Sequence, residues 1–94
     1  MHERWYAIMS KSITYGQLED ALLTLGYTRE EIPGSHRLFT TGDPAAMVML
    51  PIMPRNRPAH QLHVMGVRST LHWSGVLDQN DFEAFVERGE RAAS

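Results

Sequence analysis

The chain has 94 residues, enough for one small domain and too few for two. Hydrophobic residues make up 43% of it and charged residues 21%, a composition that excludes intrinsic disorder. This size excludes a large enzyme with a deep cofactor cleft, and we expect no cofactor. Because there is no cysteine, disulfides, thiolate metal sites and cysteine nucleophiles are excluded as well.

The first residues contain no long apolar run of the kind found in signal peptides, so we expect a cytoplasmic protein. The longest apolar stretch, residues 45–53, is shorter than the roughly 20 residues that a membrane helix needs. We therefore expect no membrane partner.

Charge is segregated along the chain, although the formal net charge is only −2. Residues 35–77 contain four arginines, four of the five histidines and a single acid, a formal charge of +3. Residues 78–94 contain five acids and two arginines, a formal charge of −3. A basic middle segment favours a phosphate-bearing partner even in a slightly acidic chain.

Glycine and proline divide the chain into segments that predict a helix, three strands and two further helices. The first helix is predicted at residues 14–25, because Thr14 and Gln17 have capping-box spacing and Gly26 follows as a C-terminal cap. The strands are predicted at residues 27–32, 36–41 and 46–50, joined by the short turns of an antiparallel meander.

The third strand is apolar on both faces, so we expect it to be central or covered on both sides. The second helix is predicted at residues 59–74, with Gly66 as an alternative start. Its apolar side is predicted to carry Leu62, Met65 and Leu71, with Trp73 near its end. The last helix is predicted at residues 79–88, capped by Asp78, with Phe82, Phe85 and Val86 on its apolar side.

These elements predict an α+β fold, a small three-stranded antiparallel sheet with helices packed on one face, plus a C-terminal helix. The predicted core consists of Leu18, Leu22, Leu25, Val48, Leu50 and Leu71.

His36 is the first candidate for acid–base chemistry. It follows a tight turn at Pro33 and Gly34 and opens a predicted strand, where an imidazole is reachable and rigidly held. The alternative is an ordinary surface histidine beside a turn.

His60 and His63 are spaced to share the first turn of the second helix. Either is a candidate for a second acid–base group beside His36. A shared metal with His36 as third ligand is the weaker alternative, because no carboxylate accompanies the pair, and we expect no metal. His72 is expected to be a solvated helix residue.

The arginines of the basic segment are the candidates for binding phosphate. Arg55 and Arg57 lie in a proline-bounded loop and would clamp a phosphate if they faced the same side as His36. The alternative is a solvated loop. Arg37 and Arg68 complete the predicted set.

Four segments in order resemble the HicA family of mRNA interferase toxins. A leucine-rich helix ends at Leu-Gly-Tyr, residues 25–27, where the family has Leu-Gly-Phe. Residues 34–39 read Gly-Ser-His-Arg-Leu-Phe, which is similar to the family's Gly-Ser-His-x-x-Phe. Residues 66–71 and the closing residues 78–85 resemble the family's last helix and tail. The resemblance covers about residues 11–86.

The resemblance implies a double-stranded-RNA-binding-like fold with the order αβββα and a single HicA-like domain at residues 13–94, after an N-terminal extension at residues 1–12. It implies metal-independent cleavage of RNA, in particular mRNA, that depends on the motif histidine, here His36. It also implies a HicB-like antitoxin protein as partner. The alternative is a non-catalytic RNA-binding or protein-interaction module of the same fold.

Overall fold

The computed structural model describes residues 12–93. Six main elements follow one another: α1 (Tyr15–Thr24), β1 (Thr28–Ile32), β2 (His36–Thr40), β3 (Val48–Pro51), α2 (Gln61–Trp73) and α3 (Phe82–Ala93). Short 3₁₀ turns at Pro44–Ala46 and Gln79–Asp81 precede β3 and α3. The predicted α+β order is confirmed. Apart from Ser12, the predicted N-terminal extension lies outside the described residues.

The three strands form an antiparallel sheet in the order β1-β2-β3. On β2, Phe39 lies opposite Arg29 of β1 and Val48 of β3. The helices lie on the side of the sheet to which Phe39 and Val48 point, and we call it the inner side. The other side, which carries His36, is called the outer side.

The prediction that the third strand is central or covered on both sides is wrong for the described part of the chain. β3 lies at an edge of the sheet, next to β2. Its buried residues, Val48 and Leu50, alternate with Met49, which is 54% exposed on the outer side. Because the described helices lie on the inner side, they leave the Met49 side of this strand uncovered.

α1 begins and ends as its sequence predicts. The Thr14 hydroxyl accepts the Gln17 N–H, and the Gln17 side chain accepts the Thr14 N–H, which completes the capping box. Gly26 follows with a φ of 96°, a conformation that glycine adopts without strain. The buried side of α1 includes Leu18 and Leu22.

The loop at residues 52–58 is fixed against the start of α1 by its backbone. The Gly16 N–H donates to the Arg55 carbonyl at 2.9 Å, and the Tyr15 N–H donates to the Arg57 carbonyl at 3.0 Å. A Cβ at position 16 would lie 2.8 Å from the Arg55 carbonyl oxygen, so the contact requires glycine. The two loop arginines are thereby placed beside α1.

α2 turns a different side toward the core from the predicted one. Val67 and Leu71 are buried, whereas two predicted core-side residues are exposed, Leu62 by 69% and Met65 by 41%. Trp73, near the end of the helix, is 83% exposed. At about 100° per residue, Leu62 and Leu71 lie on opposite sides of a helix. The predicted apolar side was therefore inconsistent with helical geometry, and it is wrong.

α2 does not begin at Gly66, the alternative start that the sequence offered. The helix begins at Gln61, with His60 as its N-cap, so Gly66 lies well inside it. Of the predicted core residues, Leu25 is only partly buried, while the other five are buried together. The core also contains Tyr15, Ala21, Tyr27, Phe39, Ala46, Val67, Phe82 and Val86.

The C-terminal helix closes the core from the same side as α1. The Asp78 side chain accepts the Asn80 N–H and caps a 3₁₀ turn that leads into α3. Phe82 and Val86 are buried and Phe85 is partly buried, as predicted, and α3 packs along α1. Within residues 12–93, no helix has the length and apolar character needed to cross a bilayer.

Candidate functional site

His36 stands at the start of β2 with an exposed side chain. Its backbone is held on both sides, because it pairs with Ile32 of β1 and with Pro51 of β3. Its Nδ1 lies 3.5 Å from the Ser35 hydroxyl. The imidazole is thus accessible to a ligand and attached to a fixed strand, the placement that acid–base chemistry needs.

Arg37 follows His36 directly but points to the inner side of the sheet, because side chains alternate along a strand. Its guanidinium donates from Nη1 to both carboxylate oxygens of Glu19 on α1, at 3.1 and 2.9 Å. Its Nε lies 3.4 Å from a carboxylate oxygen of Glu31. The predicted phosphate ligand Arg37 is therefore engaged by two acids of its own chain.

Glu19 is a buried acid whose side chain is 3% exposed. Arg37 is its closest partner, and Arg29 lies 3.5 Å from the same carboxylate. The hydrogen bond to Glu19 raises the pKa of the Arg37 guanidinium, an effect that burial opposes and that the charges of Glu19 and Glu31 reinforce. Two arginines around one carboxylate satisfy a charge that would otherwise be costly to bury.

The other predicted phosphate ligands differ in whether they already form an ion pair with an acid of the chain. Arg55 donates to the Asp20 carboxylate of α1 at 2.6 Å. Arg57 is exposed and Arg68 is half-buried, and within residues 12–93 neither forms an ion pair. Arg57 and Arg68 are thus the predicted cations that remain available to a phosphate.

His60 and His63 are joined to α1 through Tyr15. The Tyr15 hydroxyl accepts the His60 backbone N–H at 3.1 Å and lies 2.7 Å from Nδ1 of His63. The direction of the hydrogen bond between Tyr15 and His63 depends on the tautomer of His63. His60 Nδ1 accepts the Leu62 N–H at 3.0 Å, so the neutral His60 ring carries its proton on Nε2.

The structure does not gather all the predicted site residues on one surface. His36 lies on the outer side of the sheet, Arg37 on the inner side, and His60 and His63 at the start of α2. The described part of the chain contains no group of three histidine or carboxylate side chains suited to a metal ion. His72 is half-buried rather than fully solvated, and its Nδ1 accepts the Gln79 N–H.

The sequence reasoning missed three residues that shape this region: Tyr15, Glu19 and Asp20. Glu19 lies within the buried side of α1, beside Leu18 and Leu22. An acid on the apolar side of a helix indicates a buried ion pair, and this pattern predicts a basic partner elsewhere in the chain.

No protein-family model matches the chain, and comparisons with curated proteins and with solved structures find no significant match.

Proposed function

We propose that this chain is an RNA-cleaving toxin domain of the HicA type, acting in the cytoplasm, with His36 as its acid–base group. The observation that carries the proposal is the exposed imidazole of His36 on a strand paired on both sides. The order αβββα, with helices on one face of the sheet, agrees with the fold that the resemblance implies.

In the proposed reaction, His36 takes the proton of a ribose 2′-hydroxyl. The bond from O2′ to phosphorus forms while the bond from phosphorus to O5′ breaks, which leaves a 2′,3′-cyclic phosphate and a 5′-hydroxyl. The proton that the leaving oxygen takes up is proposed to come from the imidazolium form of His60 or His63, which then returns to the neutral ring. An imidazole gains and loses protons readily near neutral pH, which suits both roles.

Arg57 and Arg68 are the proposed phosphate ligands, because Arg37 and Arg55 already have acidic partners. RNA affinity should fall with salt, and the logarithmic slope should flatten by about 0.7 for each single-strand phosphate contact removed. Arg57→Ala and Arg68→Ala should each flatten it, whereas Arg55→Ala should have a smaller effect. An unchanged slope in both variants would remove these arginines from the site.

The decisive experiment measures cleavage of single-stranded RNA by the purified chain and by His36→Ala. The variant should cleave about 10²–10⁴-fold more slowly, as expected for the loss of one acid–base group. Glu30→Gln is the matched control, since Glu30 is exposed on the outer side of the neighbouring strand. Thermal melts establish that all three proteins are folded. Equal cleavage by folded His36→Ala would overturn the assignment.

A second candidate function, a protein-interaction module, is favoured by the apolar surroundings of His36. Met49 and Ile52 are exposed near the same end of the sheet, and Leu38 is half-buried between the neighbouring strands. A HicB-like antitoxin that bound the outer side would cover His36. If the chain binds no RNA even at low salt, and its expression is not toxic in a His36-dependent manner, the interaction module is the better assignment.

A further inference from the structure

The two most exposed large hydrophobic side chains of the described structure, those of Leu62 and Trp73, lie along one side of α2. Leu62 is 69% exposed, Met65 41% and Trp73 83%. With Gly66 and Ser69, these residues form a stripe that we call the α2 outer face. Leu62, Gly66, Ser69 and Trp73 have the i, i+4, i+7, i+11 spacing of a helix–helix seam, and Met65 flanks it.

The α2 outer face carries no charged side chain. Arg68, the one charged residue between Gln61 and Trp73, lies about 120° around the helix from the line through Leu62. The α2 outer face therefore offers no cation to bind RNA phosphate and no charge to recognise an oppositely charged protein. A neutral apolar face does suit contact between two copies of one chain, since no like charges meet across a two-fold axis.

The presence of glycine at position 66 is a separate observation that points to a partner at this face. Glycine inside a helix is destabilising relative to alanine, so its presence calls for a reason. Gly16 makes room for Arg55, and four other glycines adopt positive φ. A Cβ on Gly66, in contrast, would meet no atom of the described residues within 4 Å. A second helix approaching closely at this point would give the glycine a role that the described part of its own chain does not.

The order of residue sizes makes the face complementary to a second copy of itself that runs in the opposite direction. Large side chains stand at both ends, Leu62 with Met65 at one and Trp73 at the other, while Gly66 and Ser69 lie between them. In an antiparallel pair, Trp73 of one copy would cover Leu62 and Met65 of the other, and the small residues would meet at the axis. We propose that the chain forms a two-fold dimer through the α2 outer face.

The size of the face indicates a weak, reversible dimer. Full burial of an aromatic side chain removes about 150–250 Å² from water, so one tryptophan and two smaller, partly exposed side chains per copy place the contact at the low end of specific interfaces, where weak and transient contacts lie. We expect a dissociation constant on the order of 10–100 µM. The dimer is independent of the proposed cleavage chemistry, because it uses none of the residues assigned to that reaction.

Sedimentation velocity of the full chain over a range of concentrations tests the proposal. The wild type should shift reversibly from monomer to dimer, and Met65→Glu should remain monomeric because it buries a charge against the apolar Trp73 of the other copy. Met49→Glu is the matched control, since Met49 is similarly exposed but lies on the outer side of the sheet. It should dimerise like the wild type. Thermal melts check that both variants are folded.

Iodide quenching of Trp73 fluorescence, in a Trp5→Phe background, gives a second measurement. Quenching should decrease as the dimer forms, and Gly66→Glu should abolish that decrease. A chain that stays monomeric at every concentration would overturn the proposal, as would disruption by Met49→Glu alone. A monomer with Trp73 already shielded would mean that another segment, such as residues 1–11, occupies the face, and would overturn it equally.

Discussion

The inner and outer sides of the sheet use adjacent residues of β2 for different purposes. On the inner side, Phe39 is buried and Arg37 is held by Glu19. On the outer side, His36 is exposed and Leu38 is half-buried. One strand thus contributes alternate residues to the stability of the fold and to a surface that a ligand can reach.

The same comparison shows that a basic segment of sequence is not a basic surface. Two of the four arginines in residues 35–77 are paired with acids of α1, Arg37 with Glu19 and Arg55 with Asp20. Much of the positive charge of the segment is therefore neutralised within the fold. Binding of phosphate depends on the arginines that remain unpaired and not on the formal charge of the segment.

The largest effect is expected from a cavity on the inner side. Leu22 is fully buried in the core, so Leu22→Ala should lower the free energy of unfolding by about 2–5 kcal/mol. Urea denaturation measures this change. A loss below about 1 kcal/mol would show that the core around α1 is packed loosely enough to collapse onto the smaller side chain.

The next largest effect is expected from the buried ion pair. Arg37→Ala removes the closest partner of the Glu19 carboxylate and should cost about 2–3 kcal/mol, somewhat less than for a fully buried pair because Arg29 remains nearby. The double variant Glu19→Gln/Arg37→Met should recover part of this loss, since both charges are then removed together. If the double variant is less stable than Arg37→Ala, the carboxylate does not need the arginine.

A smaller effect is expected at Tyr27, whose phenol oxygen is buried without a hydrogen-bond partner in the described part of the chain. Burial, and secondarily the charge of Asp43, raises the pKa of Tyr27 above its ordinary value of 10.0. The unfolded chain therefore loses this proton first, so the contribution of Tyr27 to stability is constant below pH 10 and falls as the pH rises further.

Tyr27→Phe should be neutral or stabilising by up to about 1 kcal/mol near neutral pH, because no hydrogen bond is lost. It should also reduce the alkaline loss of stability. Urea denaturation of both proteins at neutral pH and above pH 10 measures the difference. If the stability of the variant falls equally at alkaline pH, the fall is caused by groups other than Tyr27.

Local signals in the sequence were sufficient for most of the fold. The capping box at Thr14, the glycine after α1 and the breaker spacing placed the first helix and the three strands to within about two residues. The exposed position of His36 also followed from its place after a tight turn. Each of these depends on residues close together in the chain.

The errors concern which side of an element meets the rest of the molecule. The apolar faces of β3 and α2 could each be assigned to the core, and the choice depends on where the helices pack. The outward positions of Met49 and Trp73 follow from that packing. The pairing of Arg37 with Glu19 joins β2 to α1 across the core, and no local pattern specifies it.

The smallest effect on stability is expected at His36, the residue next to Arg37 in sequence. His36 is exposed and its imidazole lies at hydrogen-bonding distance only from the Ser35 hydroxyl among the described side chains, at 3.5 Å. His36→Ala should therefore change the free energy of unfolding by less than about 0.5 kcal/mol. Urea denaturation of His36→Ala and Arg37→Ala under the same conditions makes the comparison direct, since both substitutions are on one strand. If His36→Ala were as destabilising as its neighbour, His36 would serve the fold, and a loss of RNA cleavage in that variant could not be assigned to chemistry on the outer side.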